Sequence, residues 1–292
     1  MQRALVLGGG GPVGIAWESG LAAGLAEEGV AIADADLIIG TSAGSFVGAQ
    51  LASGRSPQSL AEAQIAQGRR EAAARAAGAG HPLGEAPDLQ GLMGLMAKAP
   101  ADGPPGEALL AEFGAYANAA QTISEDAFIA GFGWIAEDGT PFPAGYRCTA
   151  IDADTGAFRT WGAEDGVPLG RAIASSCSVP GIFPPIRING RRYIDGGMRT
   201  PTNADLAAGH ERVIVVAVTI MGPFADFMRR RMQWELDAIT RAGGRVGLII
   251  PDAEALEAFG VNLMDASRRA EVAAAGVAQG RREATRARGV WG

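Results

Sequence analysis

The pentapeptide Gly40-Thr41-Ser42-Ala43-Gly44 most constrains the fold of this chain, because it joins a short apolar run to a helix-like segment. Residues 35–39 are typical of a buried strand, and residues 45–53 are typical of a helix. A serine between two glycines at such a junction has the pattern of a nucleophile elbow. The sharp turn excludes bulky residues, and the amide groups of the new helix stabilise negative charge. The sequence therefore predicts that Ser42 stands above the end of a strand.

Short apolar runs alternate with helical patterns along most of the chain, which predicts a mainly parallel central sheet covered by helices. The predicted strands are 4–7, 36–39, 146–151, 157–161, 186–188, 191–194, 213–218 and 247–250. Helices are predicted at 14–28, 45–53, 169–176 and 203–208. We expect one three-layer α/β/α domain over residues 1–292, with a helical insertion at about 56–130 and a helical C-terminal segment at about 252–289.

Composition limits the classes of partner. The chain has 292 residues, of which 48% are hydrophobic, so it can bury a large core. The formal net charge is −7 and no dense basic cluster is present, so we expect no nucleic-acid partner. The arginines at 229–231, 268–269 and 281–282 are expected on solvated helix faces.

The cysteine and terminal patterns indicate a simple protein without a metal or cofactor. Cys148 and Cys177 lie in apolar surroundings and are expected to be small buried residues, neither a disulfide framework nor a metal site. The chain enters a predicted strand near residue 4 without a charged leader. It also has no uncharged apolar run of roughly 18 residues, so no spanning helix is expected. We therefore expect a cytoplasmic location.

A second glycine-rich turn, Gly8 to Gly14, follows the first predicted strand and opens a helix. Such a turn lets backbone amides approach an anion closely. Residues 9–14 also fit the G-x-G-x-x-G pattern of dinucleotide binding, but no acidic residue follows the second strand where a ribose would need one. A tight turn without chemistry is the other alternative.

A third motif, Tyr193-Ile194-Asp195-Gly196-Gly197, places an acid just past a predicted strand. A carboxylate there can act as general base towards a serine hydroxyl, although an Asp-Gly turn is the plain structural alternative. His210 precedes the strand 213–218, and is therefore expected at the opposite end of the sheet from Ser42. His81 adjoins Pro82 in a predicted loop, so a catalytic triad with histidine is not favoured.

The three motifs together resemble a patatin-like phospholipase domain. That family combines a G-G-G-x-R/K-G loop, a G-x-S-x-G elbow and a D-G-G/A motif, and residues 9–14, 40–44 and 195–197 match them in this order. The stretch 175–185 is also similar to the family's segment before D-G-G, and the resemblance runs from about residue 5 to 218. One departure is Val13, which stands where the family usually has Arg or Lys.

The resemblance implies a serine acyl-ester hydrolase acting on lipid, of phospholipase A or lysophospholipase type. Ser42 would be the nucleophile and Asp195 the base, without a cofactor. The implied oxyanion hole consists of Gly9, Gly10, Gly11 and Ala43. A weakly active or inactive binding protein, motivated by Val13, and an acyltransferase remain alternatives.

Substrate approach adds a further expectation. Phe224, Phe227, Met228 and Met232 recur at helical spacing, with Arg229 to Arg231 between them. This segment predicts either a peripheral membrane contact or an amphipathic helix packed on the sheet. The sequence leaves acyl chain length, head group and oligomeric state open.

Overall fold

The computed structural model describes residues 2–78, 89–137, 139–218 and 225–292. Within them the strands are β1 (Arg3–Leu7), β2 (Leu37–Gly40), β3 (Tyr146–Asp152), β4 (Phe158–Trp161), β5 (Ile186–Ile188), β6 (Arg191–Asp195), β7 (Arg212–Val216) and β8 (Arg245–Ile249). The α-helices are α1 (Gly11–Glu27), α2 (Ala43–Ala52), α3 (Pro57–Ala76), α4 (Gln90–Lys98), α5 (Glu107–Ala119), α6 (Glu125–Ala130), α7 (Leu169–Ser176), α8 (Ala225–Arg241), α9 (Ala253–Phe259) and α10 (Arg269–Trp291).

The strands form one sheet in the order β5-β6-β3-β2-β1-β7-β8, with β4 also paired to β3. The five strands from β3 to β8 along this order are parallel, whereas β4 and β6 run antiparallel to β3 and β5 runs antiparallel to β6. The predicted three-layer α/β/α fold with a mainly parallel sheet is confirmed.

Strand alternation places the two cores. In β1, Leu5 and Leu7 point to one face of the sheet and pack with α1, α2, α7 and α10. Ala4 and Val6 point to the other face and pack with α8 and the 3-10 helix Ala204–Ala207. A third apolar cluster lies between α4, α5 and the strands β3 and β6. Because both faces are covered, the central strands read as nearly continuous apolar runs.

Helix α10 is held close to α1 by small residues. A side-chain carbon at Gly20 or Gly24 would lie 2.1 Å from a carbonyl oxygen of α10, Ala273 or Val277 respectively, so only glycine allows this approach. Helix α3 packs against the same pair of helices. The described residues of the segment 56–130 are thus helices and loops, one of which belongs to the main helical layer; the single-domain organisation stays a prediction.

Most local predictions are close to the observed elements. Helix α7 has the predicted bounds, and Asn189-Gly190 joins β5 to β6 with positive φ at both residues, as a two-residue hairpin requires. Helix α1 begins at Gly11, three residues earlier than predicted, and the predicted helix at 203–208 is a short 3-10 turn.

The expectation of solvated arginines is wrong at two positions. Arg231 and Arg269 are buried, because tertiary packing covers the helix faces that carry them. Arg229, Arg230, Arg281 and Arg282 are exposed. Both cysteines are buried and free, as predicted. Among the described helices, none is long and apolar enough to cross a bilayer.

Candidate active site

The turn at Ser42 is a sharp elbow that requires glycine at the flanking positions 40 and 44. Ser42 has φ 53°, a conformation that side chains rarely adopt, and it lies between β2 and α2. A side-chain carbon at Gly40 would lie 2.4 Å from the Ser45 Cα, and one at Gly44 would lie 2.2 Å from the Leu7 carbonyl oxygen. Both positions therefore require glycine.

Hydrogen bonds hold the strained serine from both sides. The Ser42 amide donates to the Ser176 hydroxyl at 3.0 Å. Its carbonyl oxygen accepts from the Ser45 hydroxyl at 2.6 Å and from the Cys177 thiol at 3.1 Å. A residue in such a conformation persists only where its surroundings determine it, and these contacts supply that constraint.

The topology of β3 explains why Asp195 comes to the same place. Gly145, just before β3, and Ala153, just after it, bond to β2 and β6, whereas Asp152 bonds to the strand on the other side, β4. Because alternate residues bond to opposite edges, β2 and β6 lie on one edge of β3. Gly40 pairs with Cys148 and Asp195 pairs with Ala150, so the carboxyl ends of the two strands face each other.

The Asp195 carboxyl is deeply buried and adjoins the serine. It is only 2% exposed, and its Oδ1 accepts a hydrogen bond of 2.7 Å from the Gly197 amide. Burial raises the pKa of the carboxyl to about 7, although the polar hydroxyl of Ser42 and the Gly197 amide lower it. A carboxyl of this kind can take a proton from the serine near neutral pH.

Asn203 connects the loop that carries Ser42 with the loop that follows Asp195. Its side-chain amide donates to the Thr41 hydroxyl at 3.0 Å and to the Gly196 carbonyl at 3.2 Å. The Thr41 hydroxyl also contacts the Thr149 hydroxyl of β3 at 2.9 Å. Arg199 donates to the Asn203 side-chain oxygen at 2.9 Å. The neighbours of Ser42 and Asp195 therefore share one buried network.

The glycine-rich loop lies beside the elbow, but its residues differ in what they offer. Gly11 and Ala43 are the first residues of α1 and α2, where amides have no partner within the helix. The Gly9 amide instead donates to the Pro201 carbonyl at 3.2 Å. The side chain of Val13 is fully buried in the hydrophobic core, so it points away from the site.

Ser42, Asp195 and the glycines line one cavity of about 480 Å³. One wall is aromatic: the rings of Phe128 and Phe183 stack at 4.3 Å, and Phe132 lies 5.3 Å from Phe128 and 5.7 Å from Phe46. The cavity also includes Gln67 and Arg269. The sequence analysis missed this wall, Asn203 and Arg269, because they come from distant segments; of these, only Phe46 gave a local signal, at one helical turn after Ser42.

His210 does not join the described site. His210 precedes β7, and its Nδ1 lies 3.2 Å from the Ala207 carbonyl, at the end of the sheet away from Ser42. It does not line the cavity. His81 and Phe224 lie outside the described residues. In the same described ranges, no group of three or more His, Cys, Asp or Glu side chains is arranged to hold a metal ion.

The sequence model of the family described as patatin-like phospholipase matches residues 5–208, which is more than half of the chain. The chain belongs to the patatin-like phospholipase family. Members of this family are lipid acyl hydrolases, so membership supports lipid acyl hydrolysis in general for this patatin-like protein. The match includes the elbow, the glycine-rich loop and Asp195, and ends before α8 to α10.

Solved structures similar to this patatin-like protein include VipD from Legionella pneumophila, with 12% identity and a TM-score of 0.45. The similarity covers 97% of this chain and 67% of VipD. The type III effector protein ExoU is 16% identical with a TM-score of 0.37, over 96% of this chain and 53% of ExoU. The chain thus spans about half to two thirds of these proteins. No curated protein matches it in sequence.

Proposed function

We propose that this protein is a serine acyl-ester hydrolase of phospholipase A or lysophospholipase type, with Ser42 as nucleophile and Asp195 as general base. The observation that carries the proposal is that Ser42, in the strained elbow, and the buried Asp195 carboxyl line the same largely apolar cavity. A serine needs an adjacent base to become a nucleophile, and Asp195 is the only acid among the described residues that line this cavity.

In the proposed reaction, the Ser42 hydroxyl oxygen attacks the ester carbonyl carbon while Asp195 accepts its proton. The tetrahedral intermediate collapses to an acyl-enzyme, and Asp195 returns the proton to the departing alcohol. Asp195 then deprotonates a water molecule as its oxygen attacks the acyl carbon, and Asp195 passes this proton to the Ser42 oxygen when the fatty acid leaves.

The proposed oxyanion hole uses the amides of Gly10, Gly11 and Ala43. Gly11 and Ala43 begin two neighbouring helices, whose N-terminal ends carry partial positive charge. Gly9 was expected to contribute, but its amide is engaged by the Pro201 carbonyl, so we leave it out of the proposal. Each such donor is worth about 10²–10³ in rate where charge develops in the transition state.

The aromatic wall formed by Phe46, Phe128, Phe132 and Phe183 suits a fatty acyl chain. Rings of this size offer a large apolar surface. Transfer of the acyl chain of a lipid ester from water to this surface is favourable. We therefore place the acyl chain against this wall.

We also propose that a bilayer contacts the mouth of the cavity. Met93, Ile123 and Val261 are exposed apolar residues from three separate segments. Ile123 itself lines the cavity, and the other two are within three residues of Met96 and Leu263, which also line it. A membrane contact is one of the two alternatives that the sequence predicted for the segment 224–232. Arg231 and Met232 of this segment are buried, so we do not assign these two residues to the proposed membrane contact.

The decisive experiment is labelling of the native protein with an active-site fluorophosphonate, followed by mapping of the modified residue. Labelling of Ser42, together with fatty acid release from phospholipid, supports the proposal. Absence of labelling in a protein that binds lipid vesicles would instead indicate a binding protein without activity. Product transfer to an added alcohol in preference to water would indicate an acyltransferase.

Metal dependence provides a second check. The proposed steps require no metal ion, so hydrolysis should be unchanged by EDTA. Loss of activity on chelation with recovery on adding Ca²⁺ or Zn²⁺ would contradict the mechanism.

A further inference from the structure

The cavity around Ser42 contains one described cation. Apart from Asp195, Arg269 is the only charged residue among the described residues that line it, and most of the others are apolar. Gln67 lines the cavity as well. An arginine in the wall of an apolar cavity is unusual, because its charge loses hydration that only an anion or several acceptors can replace.

Packing fixes Arg269 at the start of α10. A side-chain carbon at Gly68 of α3 would lie 2.9 Å from the Arg269 Cβ and 2.3 Å from the next amide, so the two helices meet closely here. Arg269 is 9% exposed. The backbone therefore has little freedom to move the guanidinium away from the cavity.

The protein only partly satisfies this guanidinium. One terminal nitrogen donates to Gln64, while Nε lies 3.7 Å from a Glu71 oxygen and makes no hydrogen bond. Glu71 also accepts from Gln67 at 2.9 Å through its other oxygen. Burial lowers the pKa of Arg269 from its ordinary value, although Glu71 raises it. A guanidinium has five donors in a planar fork, so capacity for an anion remains.

The glycine-rich loop does not compete for such an anion. Val13, which stands where the family usually has a basic residue, has a neutral side chain buried in the core. A negatively charged group of a substrate bound in this cavity would therefore pair with the guanidinium of Arg269.

We propose that Arg269 and Gln67 form a subsite for a phosphate group, so that esters carrying a nearby phosphate are preferred over neutral esters with the same acyl chain. The inference rests on the proposed function for its substrate, but the subsite is a separate feature of the fold: Arg269 lies beyond the part of the chain that matches the family. Phosphate oxygens match the guanidinium fork in geometry and charge.

The test compares lysophosphatidic acid with monoacylglycerol of the same chain length, which differ by the phosphate. In Arg269→Gln, kcat/KM for the phosphate-bearing ester should fall by about 10- to 100-fold, the usual value of a hydrogen bond to a charged group, with little change for the neutral ester. In Arg269→Lys, kcat/KM for the phosphate-bearing ester should fall less than in Arg269→Gln. Arg70→Gln, which removes an exposed arginine of α3, is the matched control and should leave the ratio unchanged.

Glu71→Gln should change the preference for the phosphate-bearing ester in the opposite direction. It removes the carboxylate that competes for Arg269, so the preference for the phosphate-bearing ester should increase several-fold. The double variant Arg269→Gln with Glu71→Gln leaves no unpaired charge, which protects the measurement against simple unfolding. A purely structural role for Arg269 predicts a lower melting temperature and equal losses on both esters, and that result would overturn the subsite.

Equilibrium binding to the Ser42→Ala variant separates this inference from the proposed function. A preference for lysophosphatidic acid that Arg269→Gln removes supports the subsite, even where the wild-type protein hydrolyses neither ester and the proposed function fails. Equal binding of both lipids would overturn the subsite while leaving hydrolysis intact. Inorganic phosphate serves as competitor: Arg269-dependent competition shows that free phosphate enters, and its absence restricts the supported subsite to phosphate attached to lipid.

Discussion

The glycine-rich loop and the serine elbow are built alike but contribute differently. They follow the adjacent parallel strands β1 and β2, whose last residues Leu7 and Gly40 pair, and each leads into a helix. In the elbow, close contacts demand glycine on both sides and leave Ser42 in a strained conformation. In the loop, Val13 is buried in the core, and the residues that line the cavity are three glycines and Pro12, which offer no side-chain hydroxyl or charge. The comparison teaches that two neighbouring strand ends bring two helix N-termini together, while only the elbow adds a side-chain hydroxyl, that of Ser42.

The largest effect is expected when the hydroxyl that distinguishes the elbow from the loop is removed. Ser42→Ala should lower kcat/KM for a lipid ester by at least about 10⁴-fold, because the nucleophile is lost while the turn keeps its glycines. The melting temperature should change little. His210→Ala is the control and should keep its activity, since this residue lies at the far end of the sheet. A folded Ser42→Ala variant with ordinary turnover would contradict the assignment of the nucleophile.

Alanine at a glycine of each region should separate folding from activity. Gly44→Ala places a carbon 2.2 Å from the Leu7 carbonyl oxygen and should destabilise the protein by about 3 kcal/mol or more. Gly9→Ala places a carbon 3.4 Å from the Ser42 Cβ and 3.9 Å from its hydroxyl, which is ordinary contact. This variant should fold but lose about tenfold in kcat/KM, equivalent to about 1.4 kcal/mol, because the added methyl group lies in the cavity beside the Ser42 hydroxyl, where the substrate carbonyl must approach.

Urea unfolding and steady-state kinetics on the two variants measure these effects. Equal loss of stability in both would show that the loop is as tightly packed as the elbow. Unchanged activity in Gly9→Ala would show that the loop does not adjoin the reacting atoms.

A charge in the glycine-rich loop tests where Val13 points. The sequence alone suggests that Val13→Arg could supply the missing cation and raise turnover. Because the Val13 side chain is fully buried in the core, the variant should instead lose stability without a gain in kcat. Val13→Ala, which removes core contacts without adding charge, should be the more stable of the two by thermal unfolding. A stable Val13→Arg protein with faster turnover would place this side chain at the site.

The pKa of Asp195 gives the smallest but most specific effect. A base with a pKa of about 7 must lose its proton, so kcat/KM should rise with pH through this value and level off above it. The contribution of Asp195 to the free energy of unfolding depends on pH in the opposite direction. Between 3.8 and about 7 the folded state holds a proton that the unfolded state has lost, so this group's contribution to stability falls as pH rises.

Asp195→Asn isolates that contribution, because the amide does not titrate. The variant should gain stability relative to the wild type on going from about pH 5 to about pH 8. A difference in melting temperature that is the same at both pH values would mean that the carboxyl is not held neutral by burial.

Local features of the chain were predicted well because their causes are local. Helix α7, the Asn189-Gly190 hairpin and the strand before the elbow follow from apolar periodicity and turn residues a few positions apart. The three glycine-containing motifs also indicated the family, since their order along the chain needs no knowledge of packing. The catalytic roles of Ser42 and Asp195 stay predictions that the experiments above can check.

Other features depend on which surfaces meet, and a linear pattern does not contain that information. Arginine is expected in water, yet α3 covers Arg269 and the loop after β6 contacts Arg231. The Gly9 amide is engaged by Pro201, nearly two hundred positions away in the chain. The four phenylalanines of the aromatic wall come from three segments that only the folded chain brings together. Sequence alone thus determined the strands, the turns and the family, whereas long-range packing decided which amides, charges and apolar faces line the cavity.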